Sequence, residues 1–422
     1  MFRLKKTLSR LNLLFLSTLL AAGAPFAVAQ ETIIHHFFSG ANNGSLPGGG
    51  LSVDGNGALY GTTEEGGDIS CPWHTRGCGI VYRLTPPAEG SSGWNFAILH
   101  SFTGLSDGGV PLGNLFVDST AGVLYGTTDL GGNANGGVVY SLTLGNPGTE
   151  TVLYNFQSPE GSGPSAGVTL HNGVLYGTTA NGTPQHLGSL YRLVPTGSGG
   201  WQEQTLYIFG DESANGLSLS APVFDNSGNL YGTTVGDLNG GTVYKASPPS
   251  AGETSWTFST IYVFKNSADG EGPGPYLNID ASGALYGAVG AGPNGHGAVF
   301  KLTPPSNGTG PWTESLLYSF TGGQDGGAPS SGMVFDSQGN LYGTTEEGGN
   351  SLCSGVGCGV VFELMPPSSP DGTWTEKTLY VFQGNSDGAE PAYNLVLQGG
   401  DLYGVTVLGD LNNSGVAFQV KP

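Results

Sequence analysis

Positive charge is what this sequence has least of. Lysine and arginine number 12 against 32 aspartates and glutamates, and only 10% of the 422 residues are charged. Four of the twelve (Arg3, Lys5, Lys6 and Arg10) sit at the extreme N-terminus. Such a surface repels phosphate backbones and anionic headgroups, which argues against nucleic acid and acidic membranes as partners. Long hydrophobic runs are also missing. Beyond the N-terminal stretch no segment reaches the ~18 apolar residues of a spanning helix, so no membrane span is expected in the mature chain. There is no Gly-x-Ser-x-Gly elbow, no P-loop and no dinucleotide fingerprint. Cysteines number four.

What is present begins with an export signal. The basic start is followed by an apolar run from Leu11 to Ala22 and by Ala27-Val28-Ala29 before Gln30. That order reads as a Sec-type signal peptide over residues 1–29, leaving a mature, exported domain of residues 30–422. The periplasm or the cell exterior is its expected place.

Glycine is abundant, at 76 residues, and low charge with high glycine can mean disorder. The ordered recurrence of aromatic and β-branched runs argues otherwise. Leu-Tyr-Gly occurs seven times, at Leu59, Leu124, Leu175, Leu230, Leu285, Leu341 and Leu402, with the tyrosines 51 to 65 residues apart. Each repeat holds four short β-rich runs bounded by turn residues. Its third run carries an aromatic (Tyr82, Tyr140, Tyr191, Tyr244, Phe300, Phe362, Phe418), and its fourth ends in Phe (Phe102, Phe156, Phe209, Phe264, Phe320, Phe382). A period of this length predicts a propeller blade. The last repeat stops after its third run, at Gly415–Val420, and the fourth-run pattern appears instead at Glu31–Phe38. This offset predicts an all-β, seven-bladed propeller of four-stranded blades, its ring closed by the N-terminal strand completing the last blade. An open solenoid would need no such complementarity.

The pattern Leu-Tyr-Gly-Thr-Thr, Gly-Gly, Gly-x-Val-Tyr-x-Leu-Thr-Pro, best seen from Leu59 to Pro86 and from Leu341 to Pro366, resembles the GloVer tandem repeat of exported bacterial "choice-of-anchor" proteins. The resemblance spans the mature chain. It implies export and a C-terminal sorting anchor. This sequence departs from that at Pro422, two residues past its final strand, so no anchor is expected. The resemblance brings no catalytic residues with it.

Candidate sites fall in the loops joining second to third strands and successive blades, which share one propeller face. Glu64-Glu65-Gly66-Gly67 runs into Cys71 and Cys78, and Glu346-Glu347-Gly348-Gly349 into Cys353 and Cys358. In an exported chain these pairs read as two local disulfides. Free thiols or a zinc site are the alternatives, but neither spacing matches a structural zinc pattern. The two loops are expected to converge above the channel. There Glu64, Glu65, Glu346 and Glu347, with Trp73, His74 and Arg76, could bind a sugar or protein, or act as acid and base on a glycosidic bond. Solvated acids on two copied loops are the plainer reading. No cofactor is expected, with Ca²⁺ the one possibility. Asp107, Asp269, Asp325 and Asp387, each in an Asp-Gly pair before a proline, could supply oxygen ligands around the ring, against the alternative of simple Asx-turns. His74, His186 and His296 occupy equivalent loops and read better as surface residues than as a metal triad. The leading expectation is a recognition module for a polysaccharide, an envelope component or a protein. A carbohydrate-active hydrolase or lyase is the alternative, and a purely structural envelope module the third.

Overall fold

Runs such as Val-Leu-Tyr-Gly-Thr-Thr alternate side chains across a pleat and can bury both faces only when sheets stack on either side. A computed structural model of the chain shows this stacking. It describes residues 30–422 apart from 92, 158–160, 183–187, 211–219, 237–239, 251, 254, 266–268, 370–371 and 411. The proposed signal segment 1–29 and His186 lie outside the described residues.

Seven antiparallel sheets follow one another, each built on four strands in sequence order, and two of them carry an additional short strand. Among the described residues the only helical element is a 3₁₀ turn, Cys353–Gly355. The last blade contains Val396–Gln398, Asp401–Val405 and Val416–Val420 from the C-terminus, and its outer strand is Glu31–His36 from the N-terminus. The register runs from Glu31 opposite Val420 to His36 opposite Val416. The ring is therefore closed as its offset repeats predict.

The Leu-Tyr-Gly glycine has a steric role. Gly61 lies directly across from Tyr82, and a Cβ there would come within 2.4 Å of the Tyr82 hydroxyl. The same crowding occurs at Gly126 against Tyr140 and at Gly343 against Phe362. The ring of the third strand folds over the glycine of the second and reaches the neighbouring blade. There it meets the Phe that closes the preceding blade's fourth strand. The centroid distances are 5.1 Å for Phe37–Tyr82, 5.2 Å for Phe102–Tyr140 and 4.9 Å for Phe156–Tyr191. They are 5.6 Å for Phe209–Tyr244, and 5.1, 5.1 and 5.0 Å for Phe264–Phe300, Phe320–Phe362 and Phe382–Phe418. Every seam holds one such pair, mostly edge to face, the arrangement the ring quadrupoles favour. Phe37–Tyr82 makes the seam between the last blade and the first, so it joins the chain's two ends.

One regular feature has no signature in the sequence. In every blade the pairing of third and fourth strands slips by one residue, for example between Val81 and Tyr82. The skipped residue is an aliphatic such as Leu99 or Leu379, both 1% exposed. These bulges sharpen the twist of the outer strand and turn an extra apolar side chain inward.

Candidate functional site

The loop face is built by interlocking segments. The residue before the inter-blade proline is left-handed: Leu46, Val110, Ala328 and Glu390 have φ of 56°, 55°, 52° and 56°. Their amides donate to carbonyls in the preceding blade, Val110 to Cys78 at 2.8 Å and Glu390 to Cys358 at 3.1 Å. Their carbonyls accept in turn from the following blade: Val110 from the Asp129 amide at 3.0 Å, and Ala328 from the Glu346 amide at 3.1 Å. Non-glycine residues held left-handed mark a backbone over-determined by its surroundings. The acids at Asp129 and Glu346 are thus mounted on a fixed frame.

Alternation along the strand Leu59–Gly66 separates the paired glutamates. Glu65 is buried, accepts from Ser45 Oγ at 3.1 Å and pairs with Arg76 Nη1 at 3.1 Å. It braces the first stapled loop. Glu64 is half-buried on the other side, and burial, then the Glu65 and Asp129 charges, push its carboxyl up. Glu390 is pushed up by burial, then by Glu346 and Glu347. The Tyr393 phenol is raised by burial, then by Tyr276, Glu64 and Glu346. The first glutamate of each pair, from blades one and six, thus bears electrostatically on the same phenol. Asp129, acting on Glu64, and Glu390, acted on by Glu346 and Glu347, add to this set of mutually repelling acids. Asp129 was legible as the residue after Leu-Tyr-Gly-Thr-Thr in repeat two. Glu390 carried no signal beyond being an acid in an Asp-Gly-x-x-Pro loop.

Two hydroxyls add to this. Thr62 and Thr344 stand two residues before Glu64 and Glu346, on the same strand face, and are 1% and 0% exposed. Neither hydroxyl has a hydrogen-bond partner. Their counterparts Thr127, Thr178 and Thr233 donate to the carbonyls of Leu112, Ser220 and Gly274. Only the blades bearing these glutamates leave the threonine unpaired.

Below the acids the first strands surround a cavity of about 210 Å³, lined by Ser52, Asn114, Val168, Thr169, Tyr276 and Asn394 among others. Asn114 Oδ1 accepts from the Gly50 amide at 2.7 Å, and Asn394 Oδ1 from the Gly332 amide at 2.5 Å. Each tethers its blade to the preceding one. Neither amide nitrogen is engaged by any hydrogen bond found among the described residues.

The other sequence candidates lie elsewhere. Cys71–Cys78 and Cys353–Cys358 are disulfides, which removes the free-thiol and zinc alternatives. Each lies against the left-handed glycine of the next inter-blade loop, Gly104 or Gly384. In blade five the His296 ring takes that place over Gly322, a packing role. Trp73 is 37% exposed and rests against Gly104 and Gly109, on the outer shoulder of the face; Arg76 is spent on Glu65, and His74 is half-buried in the stapled loop. The Asp-Gly aspartates are tied into separate loops. Asp269 accepts from Tyr262 at 2.7 Å, Asp325 from Tyr318 at 3.0 Å and Asp387 from Tyr380 at 2.9 Å, while Asp107 pairs with His100 at 3.3 Å. Among the described residues no three His, Cys, Asp or Glu gather as a metal site.

Solved structures resemble the chain. The chain resembles an oxidoreductase described as a glucose dehydrogenase from Thermus thermophilus, at 16% identity and a TM-score of 0.44 over 75% of this chain and 94% of that one. A protein of unknown function from Dyadobacter fermentans matches at 11% identity and a TM-score of 0.46, over 94% and 99%. A puromycin hydrolase matches at 14% and 0.50, over 86% of this chain and half of that one. At these identities the likeness is one of fold. No curated protein sequence matches. The model of the Gloeobacter/Verrucomicrobia repeat matches residues 22–234, 73–292 and 277–422, and with its seven-bladed ring the chain belongs to that repeat family.

Proposed function

We propose that this protein is an exported recognition module whose ligand, a polysaccharide, sits over the channel mouth. The observation that carries the reading is that the charges of Glu64 and Glu346 both bear on the Tyr393 phenol, next along the chain to Asn394 of a cavity also lined by Asn114 and Tyr276. Carboxylates, amides and phenols set in a rigid concave surface are the donors and acceptors that polyhydroxyl ligands require. Two disulfides support a destination outside the cytoplasm, reached through the N-terminal signal.

A glycan-array screen tests the proposal, run with and without Ca²⁺ and with the Glu64→Gln/Glu346→Gln variant alongside. Specific binding lost in the variant supports it. No binding under any condition moves the weight to a protein partner or a structural role.

One observation favours a second reading, a glycoside hydrolase or lyase. Glu64 is desolvated and raised while Glu346 bears on the same phenol, and an acid paired with a base needs such a difference in environment. Cleavage of a bound glycan by the wild type, abolished in Glu64→Gln, would establish it.

A further inference from the structure

A second set of acids lies at the blade seams, away from the channel. In each seam, the residue before glycine in the inter-blade loop can be compared with one residue of the next blade's fourth strand. The pairs are Asp107 with Glu150, Glu160 with Glu203, Asp269 with Glu314, Asp325 with Glu376 and Asp387 with Glu31. In the two remaining seams the pairs are Asn43 with Phe96 and Asn215 with Phe258. Wherever the loop carries an acid, the strand carries a glutamate. Wherever the loop carries asparagine, the strand carries phenylalanine. Like charges facing one another in a seam repel, so acid matched with acid is the opposite of what two ionised groups would favour.

The structure describes four of these acid seams. Each loop aspartate already accepts from its own surroundings: Asp269 from Tyr262 and the Lys265 amide, Asp325 from Tyr318 and the Thr321 amide, Asp387 from Tyr380 and the Gln383 amide, Asp107 from the Thr103 amide with His100 beside it. Burial opposes ionisation, but the bonds from His100 and Thr103 outweigh it and hold the Asp107 carboxyl below the ordinary value. The glutamates are placed differently. Oε1 of Glu31, of Glu150 and of Glu314 is buried without a hydrogen-bond partner. Glu376 Oε1 has only the Thr378 hydroxyl, at 2.9 Å. The groups facing them are Asp387 and Tyr380 for Glu31; Asp107, His100 and Tyr140 for Glu150; Asp269 and Tyr262 for Glu314; and Asp325 and Tyr318 for Glu376. Among the described residues no lysine or arginine pairs with any of these glutamates. In the asparagine seams the same space is filled by stacked rings, His35 on Phe96 at 4.0 Å and Tyr207 on Phe258 at 3.6 Å. A neutral group is what the space accepts.

We propose that the acid seams of the ring are closed by protonated glutamates, with Glu31, Glu150, Glu314 and Glu376 each holding a carboxylic proton beside an ionised aspartate and yielding it to solvent as the seams loosen above neutral pH. Burial first raises all four carboxyls to about 7; the aspartate charge comes next for Glu31 and Glu314, and for Glu150 and Glu376 it follows a smaller opposing effect of His100 or Thr378. Two carboxylates offer too few oxygens for Ca²⁺, which takes six to eight. The proposal is independent of any ligand at the channel.

The test is calorimetric unfolding at pH 6 in two buffers of different ionisation enthalpy, which counts protons exchanged. Unfolding of the wild type releases protons. The Glu31→Gln/Glu150→Gln/Glu314→Gln variant, a neutral isostere at three of the four glutamates, releases about three fewer and loses less of its Tm between pH 5 and 8 than the wild type does. Should that variant not fold, Asp107→Asn with Glu150→Phe rebuilds a seam in the pattern two natural seams already use, and releases about one fewer. Should neither fold, the wild-type release decides by itself: none at pH 6 overturns the proposal. Equal release by wild type and variant overturns it too. So does a rise in Tm with Ca²⁺ at pH 8 in the wild type alone, which would put a cation where the proton was assigned.

Discussion

Ile33, in the first described strand, pairs with Phe418, in the last. Four residues on, Phe37 is fully buried against Tyr82 of the first blade. A few side chains of the N-terminal strand thus join two seams. Phe37→Ala is expected to cost about 3–5 kcal/mol, the range for emptying a large aromatic from a core. Urea denaturation measures it. A loss under about 1 kcal/mol would mean the closing seam carries little of the ring's stability.

Gly61→Ala drives a methyl group into the Tyr82 ring, with which it shares a cross-strand pair. The expected loss is about 1–3 kcal/mol. Gly55→Ala, at a position with open space and no left-handed φ, is the control and should be near neutral. Equal effects at the two sites would show that backbone entropy, and not the ring above Gly61, sets the cost.

Removing Cys353–Cys358 by Cys353→Ala/Cys358→Ala should cost about 2 kcal/mol, since the bridge spans only five positions. The loosening should be local. Proteolysis between Asn350 and Gly357 is expected to accelerate well before global unfolding does. Unchanged cleavage would mean that the packing against Gly384 holds the loop without the bond.

His35 titrates in the opposite sense to the seam glutamates. Burial, only partly offset by its bond to Asn43, lowers it from 6.5 to about 4. The folded state favours neutral His35, so its contribution is present above pH 6.5 and lost as pH falls toward 4. The glutamates, raised from 4.5 to about 7, contribute below pH 4.5 and lose that contribution as pH rises to 7. His35→Phe removes the term that rises with pH, so its stability should fall more steeply between pH 5 and 7 than that of the wild type. Denaturation midpoints across this range check the sign; a shallower fall would contradict it.

Part of the candidate site could be read in advance. The copied Glu-Glu-Gly-Gly loops named both glutamates whose charges bear on Tyr393, and close cysteine spacing named both bridges. Separating Glu64 from Glu65 needed the pleat of the strand, because adjacent residues face opposite sides whatever their chemistry. Tyr276, Tyr393 and Asn394 were invisible as site residues. They stand in the loops just before the short inner strands Asn278–Ile279 and Val396–Gln398, and Tyr276 and Asn394 become cavity lining only when seven blades surround an axis. The Asp-Gly aspartates repeat in the sequence like a ring of ligands, and in the structure each is also tied by hydrogen bonds or an ion pair into its own inter-blade loop.

By itself the sequence determined the blade count, the order of strands within a blade and the closure by the N-terminal strand. All of these follow from local periodicity and from the offset of one strand, and both are linear properties of the chain. Only the tertiary structure decided which acids are solvated, braced or confronted. Ionisation depends on what lies across a seam, and the residue across a seam is some forty to seventy positions away along the chain, or, for Glu31 and Asp387, at its opposite end.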